Sequence, residues 1–200
     1  MENAVEKLVV FVCTGNTCRS PMAEAIFRYE TKRRGLSATV RSAGTDAAAK
    51  GSMHLHSLRT LVNHGLSVEN FTPTPLSEEI MREAAAIVCM TEAQKEWIAY
   101  RYIQLLGNEG VEKIYAFSDF CGYSVPDPYG QPMEAYEDTF NALEGGMSAL
   151  IARLFPEKQP SEPKKSTAKQ AFDGENKEKA VKKKTTGARK GRPKKEKITE

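Results

Sequence analysis

A five-residue apolar run, Leu-Val-Val-Phe-Val at 8–12, leads without a spacer into Cys-Thr-Gly-Asn-Thr-Cys-Arg-Ser at 13–20, and then into Pro21 and a helix-forming stretch. This juncture limits the choice of fold most. A continuous β-branched and aromatic run fits a strand buried on both faces of a parallel sheet. Ser20 is expected as N-cap of the following helix, with Pro21 at its first position and Gly35 just past its end. Further strands are predicted at 38–42, 86–90 and 112–117. Further helices are predicted at 57–64, from Ser77, from Thr91 to about Tyr102, and from Met133 to Phe155, with a Pro- and Gly-punctuated loop over 118–132. Alternating strands and helices argue for an α/β fold, a parallel sheet with helices on both faces. Ligands of such sheets bind beyond the carboxyl ends of the strands, where residues 13–20 fall.

The pattern stops near Pro156. Residues 1–156 hold 14 Lys/Arg and 19 Asp/Glu, a net of −5; residues 157–200 hold 15 and 7, a net of +8. The overall +3 therefore describes neither part. Residues 1–156 are read as the folded domain. Residues 157–200, with Phe172 as their one aromatic side chain, cannot offset chain entropy by burial and are expected to be a disordered basic tail. Within it, Ala188–Lys195 resembles an AT-hook, with Lys190 where an arginine often precedes the glycine. The simpler reading is a solvated polycation making weak, salt-dependent contacts with nucleic acid or other polyanions. Near the start the longest apolar run is Leu8–Val12, too short for a secretory signal or a membrane span. The four cysteines are read as thiols of a cytoplasmic protein.

Cys13 and Arg19 bracket five residues at a strand-to-helix turn. A loop of this kind, Thr14, Gly15, Asn16, Thr17 and Cys18, can curl so that its backbone N–H groups point inward, and the helix N-terminus adds partial positive charge. Arg19 offers a planar fork matched to two phosphate oxygens. Cys13 is placed to attack phosphorus as a thiolate, the nucleophilic form. The Ser20 hydroxyl can reach back to that sulfur, and Asn16 tolerates left-handed backbone. Asp127, between Pro126 and Pro128 on a stiffened loop, is the candidate proton donor for a leaving group.

VCTGNTCRSPMAEA at 12–25, Ser42 to Thr45 (SAGT), Met90-Thr91 and Asp127-Pro128-Tyr129 together resemble the low-molecular-weight protein phosphatase family, collinearly over roughly residues 8–155. The resemblance implies a small doubly wound domain with a four-stranded parallel sheet, acting on phosphorylated proteins without metal or cofactor. It implies that Cys13 forms a phosphocysteine, that Arg19 clamps the phosphate, and that Asp127 protonates the leaving group and then helps activate water. It also implies that Cys18 pairs with Cys13 on oxidation. Thr17, where tyrosine-directed members commonly carry an aliphatic residue, resembles the protein-arginine phosphatase branch, in which threonine accommodates phosphoguanidinium. Aryl-directed members place an aromatic residue shortly after the SAGT segment; here residues 46–50 read Asp-Ala-Ala-Ala-Lys. Tyr123 and Tyr129 are left as candidate pocket walls.

The expected activity is hydrolysis of phosphoarginine on proteins, with a tyrosine phosphatase on the same scaffold as the alternative. An arsenate reductase needs two further cysteines about seven apart near the second apolar strand, and Arg82 and Cys89 occupy that stretch. A non-catalytic DNA-tethered binder fits poorly with Cys13, Arg19, Ser20 and Asp127 all present. His56 is read as structural, and His54 and His64 as exposed. Trp97 is read as part of a packed helix face with Ile98 and Tyr102, and Cys89 as core.

Overall fold

The computed structural model describes residues 7–48, 50–68 and 70–156. The basic segment 157–200 and its AT-hook-like stretch lie outside the described residues. Four strands, β1 (Lys7–Cys13), β2 (Ala38–Gly44), β3 (Ala86–Cys89) and β4 (Ile114–Ala116), form one parallel sheet in the order β2-β1-β3-β4. The chain leaves β1 toward β2 and returns past it to β3. The strand order therefore reverses beside the carboxyl end of β1, where open α/β sheets open a crevice. In register, Cys13 lies opposite Gly44, and Val12 opposite Cys89.

Alternation along β1 separates two cores. Val9, Phe11 and Cys13 face α1 (Arg19–Arg33) and the long α6 (Met133–Leu154), with α2 (Leu55–Asn63) at the side. Val10 and Val12 face α3 (Glu78–Glu83) and α4 (Glu92–Val111) through Ile80, Met81, Ile98 and Tyr102. Phe11, Phe27, Phe117 and Phe140 are almost wholly buried. Each contributes about 1.5–3 kcal/mol over an exposed ring. Among the described residues no helix is long and apolar enough to cross a membrane.

Several local features differ from the sequence reading. Helix α1 begins at Arg19, with no side-chain cap, so Pro21 is its third residue. The Ser20 hydroxyl instead engages the Cys13 sulfur, the other role expected of it, together with Asn16 and the Ala43 carbonyl. Helix α4 runs to Val111 through a kink at Gly107, whose φ of 70° only glycine adopts freely. β4 is three residues long, and α5 (Ser118–Cys121) occupies the start of the expected loop. Trp97 is half-exposed while Ile98 and Tyr102 are buried. Residues 98 and 102 share a face at i,i+4, but 97 lies about 100° away from 98. Ser77 and Thr91 cap α3 and α4 as expected, accepting from Ile80 N–H and Gln94 N–H.

Gly146 lets α6 lie directly on the core, since a Cβ there would sit 2.4 Å from the fully buried Phe117 ring. Gly146→Ala should lower stability by about 1–3 kcal/mol through overpacking, despite alanine's better helix propensity. The urea unfolding midpoint reads this out.

Candidate active site

The loop from Cys13 to Arg19 takes its shape from its carbonyls. Cys13 C=O accepts from Thr45 N–H at 3.0 Å, Thr14 C=O from Asp46 N–H at 2.9 Å, and Thr17 C=O from His54 N–H at 2.9 Å. With these oxygens tied to the segment after β2, the loop's N–H groups face the other way, into a concavity. Among the described residues, none of the amides of Thr14 to Cys18 donates to a protein acceptor. Gly44 permits the close approach: a Cβ would lie 2.5 Å from Thr14 O and 2.9 Å from Asn16 N. Asn16 turns the loop at φ 52°. Its buried side chain donates to Ser20 Oγ at 2.9 Å and accepts from Thr74 N–H at 2.8 Å. This is the left-handed, side-chain-stapled role expected of it.

Cys13 is buried at the floor, its sulfur 3.0 Å from Ser20 Oγ. The Ser20 oxygen already accepts from Asn16. Its single proton can go to Ala43 C=O at 3.3 Å or to the sulfur, and with Cys13 as thiolate only Ser20 can donate in the shorter contact. Arg19, also buried, donates through Nη2 to Asp127 Oδ2, while its Nε has no partner among the described residues. A buried guanidinium N–H without an acceptor is unusual in native structures and suits an oxyanion at the loop's centre. Asp127 is half-exposed; its Oδ1 accepts from Tyr129 N–H at 3.2 Å, closing a local turn over Pro128. The loop is anchored just before, where Val125 N–H donates to Met90 C=O.

These groups line a cavity of about 550 Å³, with Cys13, Thr17 and Arg19 inside and Asp46, Lys50 and Tyr129 around it. The structure therefore brings together Cys13, Thr14, Gly15, Thr17, Cys18, Arg19, Asp127 and Tyr129, with Asn16 and Ser20 behind them. Tyr123 is not part of the wall: its hydroxyl donates to Ala142 C=O on α6. Asp46 was missed by sequence reasoning, although it follows the SAGT segment directly. Cys18 Sγ lies 3.6 Å from Thr17 Oγ1 and 4.0 Å from Tyr136 Oη, and burial pushes its thiol up. Cys89 is fully buried in β3, its thiol pushed up to about 12 by burial.

His54 corrects the sequence reading most. It is partly buried, not exposed: its ring stacks on Tyr136 at 5.0 Å and 12° and meets Tyr129 edge-to-face at 6.0 Å. His64 is exposed at the far end of α2, paired with Glu137 at 2.8 Å.

A loop of inward amides around a buried sulfur, with a guanidinium and a carboxylate opposite, can bind a tetrahedral oxyanion and pass protons to and from it without further groups. Known proteins agree with that chemistry. The family model described as low molecular weight phosphotyrosine protein phosphatase matches residues 8–160. A protein-arginine-phosphatase of Bacillus subtilis (strain 168) is 35% identical over 149 residues, covering 73% of this chain and 95% of its own length. The probable low molecular weight protein-tyrosine-phosphatase EpsP of Ralstonia solanacearum is 28% identical over 148 residues, covering 74% of this chain and 96% of its own. The solved structure of the YwlE arginine phosphatase from Geobacillus stearothermophilus is 30% identical, with a TM-score of 0.66 over 76% of this chain and 94% of that one. The strand order, the loop and the match across the whole described domain lead to one conclusion: the chain belongs to the low molecular weight phosphotyrosine protein phosphatase family and is a cysteine-based phosphatase.

Proposed function

We propose that this phosphatase hydrolyses phosphoarginine on proteins, with Cys13 as nucleophile, Arg19 as phosphate clamp and Asp127 as proton donor and acceptor. In the first step the Cys13 thiolate attacks phosphorus and the P–N bond breaks. Asp127 gives its proton to the departing guanidine nitrogen. In the second step water attacks the phosphocysteine, Asp127 takes its proton, and the sulfur leaves as thiolate. The loop amides and Arg19 neutralise the non-bridging oxygens throughout, which is where phosphoryl transfer gains most of its rate.

The observation that carries the guanidinium reading is Thr17, a hydroxyl side chain lining the cavity on the nucleophile's own loop. A buried guanidinium needs polar partners, and leaving one unpaired costs about 1–3 kcal/mol. Asp127 and Asp46 supply carboxylates on the same cavity, and the cavity residues after Thr45 (Asp46, Ala48, Lys50 and Gly51) include no aromatic ring. The names of the Bacillus subtilis and Geobacillus stearothermophilus relatives support the same reading. One feature favours the aryl alternative: Tyr129, exposed on the cavity wall, can stack on a phenyl ring.

With matched phosphopeptides, kcat/KM should be higher for phosphoarginine than for phosphotyrosine, and Thr17→Ile should shift the preference toward the aryl ester. A higher kcat/KM on phosphotyrosine for the unaltered protein overturns the reading. We also propose Cys18 as redox partner. Peroxide converts the Cys13 thiolate to a sulfenic acid, which condenses with the Cys18 thiol to a disulfide and releases water. Dithiothreitol should then restore activity in the native protein but not in Cys18→Ala. Equal recovery in both would remove Cys18 from that role.

A further inference from the structure

His54 joins the two residues that flank the substrate position from opposite ends of the chain. Its backbone N–H holds Thr17 C=O at 2.9 Å, and its ring meets the Tyr129 ring edge-to-face at 6.0 Å. The ring is itself fixed from behind. It stacks on Tyr136 at 5.0 Å, and Nδ1 accepts from His56 N–H at 3.3 Å, the bond that caps α2. Because Nδ1 is the acceptor there, the neutral ring carries its proton on Nε2, 3.5 Å from Tyr136 Oη. Tyr136 Oη in turn lies 4.0 Å from Cys18 Sγ. One partly buried imidazole thus links the phosphate loop, α2, α6 and the loop that bears Asp127.

We propose that His54 is a positioning residue that sets substrate fit, its neutral ring holding Tyr129 against the cavity while its amide holds Thr17. The proposal rests on reading this cavity as the substrate pocket, and is independent of whether a guanidinium or a phenol is bound. Tyr129 is largely exposed; its backbone is bonded to Asp127 in its own turn and its ring meets that of His54. Protonation of His54 would set an N–H on Nδ1 against the His56 N–H and a charge beside the His56 ring, a repulsion that drives the ring out of its stack. The titratable groups facing the ring are His56 on α2 at 5.3 Å between centroids, Tyr136 on α6, and Tyr129; Cys18 lies beyond Tyr136 at 4.0 Å, and Asp127 is bonded to the Tyr129 backbone. Burial first, and then the neighbouring His56, lowers the His54 pKa. The neutral form therefore holds at neutral pH and is lost only as pH falls through a value below the ordinary imidazole range.

The test separates ring, cap and proton. His54→Asn keeps a side-chain acceptor for the cap and the backbone N–H, but removes the ring. With a phosphorylated peptide it should raise KM by about 2- to 10-fold, the size of one aromatic contact, while kcat stays within twofold. Tyr129→Ala should raise KM to a similar degree, and the double variant should rise no further. His54→Phe keeps the ring and cannot be protonated; it gives up the cap acceptor at the partly exposed start of α2, where water can bond the His56 N–H, and brings no N–H to N–H repulsion. Its KM should match the unaltered protein at neutral pH, and the ratio of unaltered to His54→Phe KM should climb on acidification; the substrate's own ionisation cancels in that ratio. Unchanged KM in His54→Asn, independent effects in the double variant, or a flat ratio for His54→Phe would each overturn the proposal. Should His54→Asn melt early, His54→Phe decides alone: a KM raised at neutral pH as far as in Tyr129→Ala overturns it. Inactivity of the unaltered protein on every phosphopeptide would instead count against the proposed function.

Discussion

Three backbone carbonyls, of Cys13, Thr14 and Thr17, point outward and are bonded by Thr45, Asp46 and His54 N–H groups, and the rest of the site follows from this. A short loop has about as many donors as acceptors, and turning its acceptors one way aims its donors the other. The result is a concave array of amides at the carboxyl end of β1, completed by the N-terminus of α1. No side chain supplies this field, so what surrounds the loop matters as much as what is in it. Gly44 is the clearest case: its missing Cβ is what allows β2 to end against Thr14 and Asn16.

The fold places this array at the one point where the strand order reverses. β1 is flanked by β2 and β3 and covered by helices on both sides, so Cys13 is fixed from four directions. The more exposed groups of the proposed site lie elsewhere. Asp127 and Tyr129 belong to a Pro-bounded loop anchored at Val125, with a carboxylate half open to solvent. Under the proposed roles, a rigid half would bind the phosphate and a looser half would handle protons and substrate identity, which suits catalysis that is mostly positioning.

Much of this was legible in the sequence, for identifiable reasons. The strand, loop and helix at 8–33 announce themselves because an apolar run, a Gly-Asn turn and a proline occur in immediate succession. Helix α6 was legible by its length and apolar spacing, and the Ser77 and Thr91 caps by local hydrogen bonding. What escaped depends on distant partners. Ser20 carries two expectations, N-cap of α1 and partner of the Cys13 sulfur, and the structure meets the second and not the first. His54 reads as a surface residue because Tyr136, on which it stacks, lies 82 positions away. Helix α5 is too short to carry a periodic signal. Trp97 was misplaced by reading adjacency to Ile98 as a shared face, an error of helical geometry.

The proposed reaction requires the sulfur of Cys13 to become covalently bound to phosphorus. Rapid acid quenching of the full-length protein during turnover of a phosphorylated substrate, followed by mass spectrometry of its peptides, measures this directly. The account predicts one phosphoryl group on Cys13, formed before phosphate is released and lost as water attacks. Turnover with no adduct at any quench time, or an adduct on another residue, would contradict it.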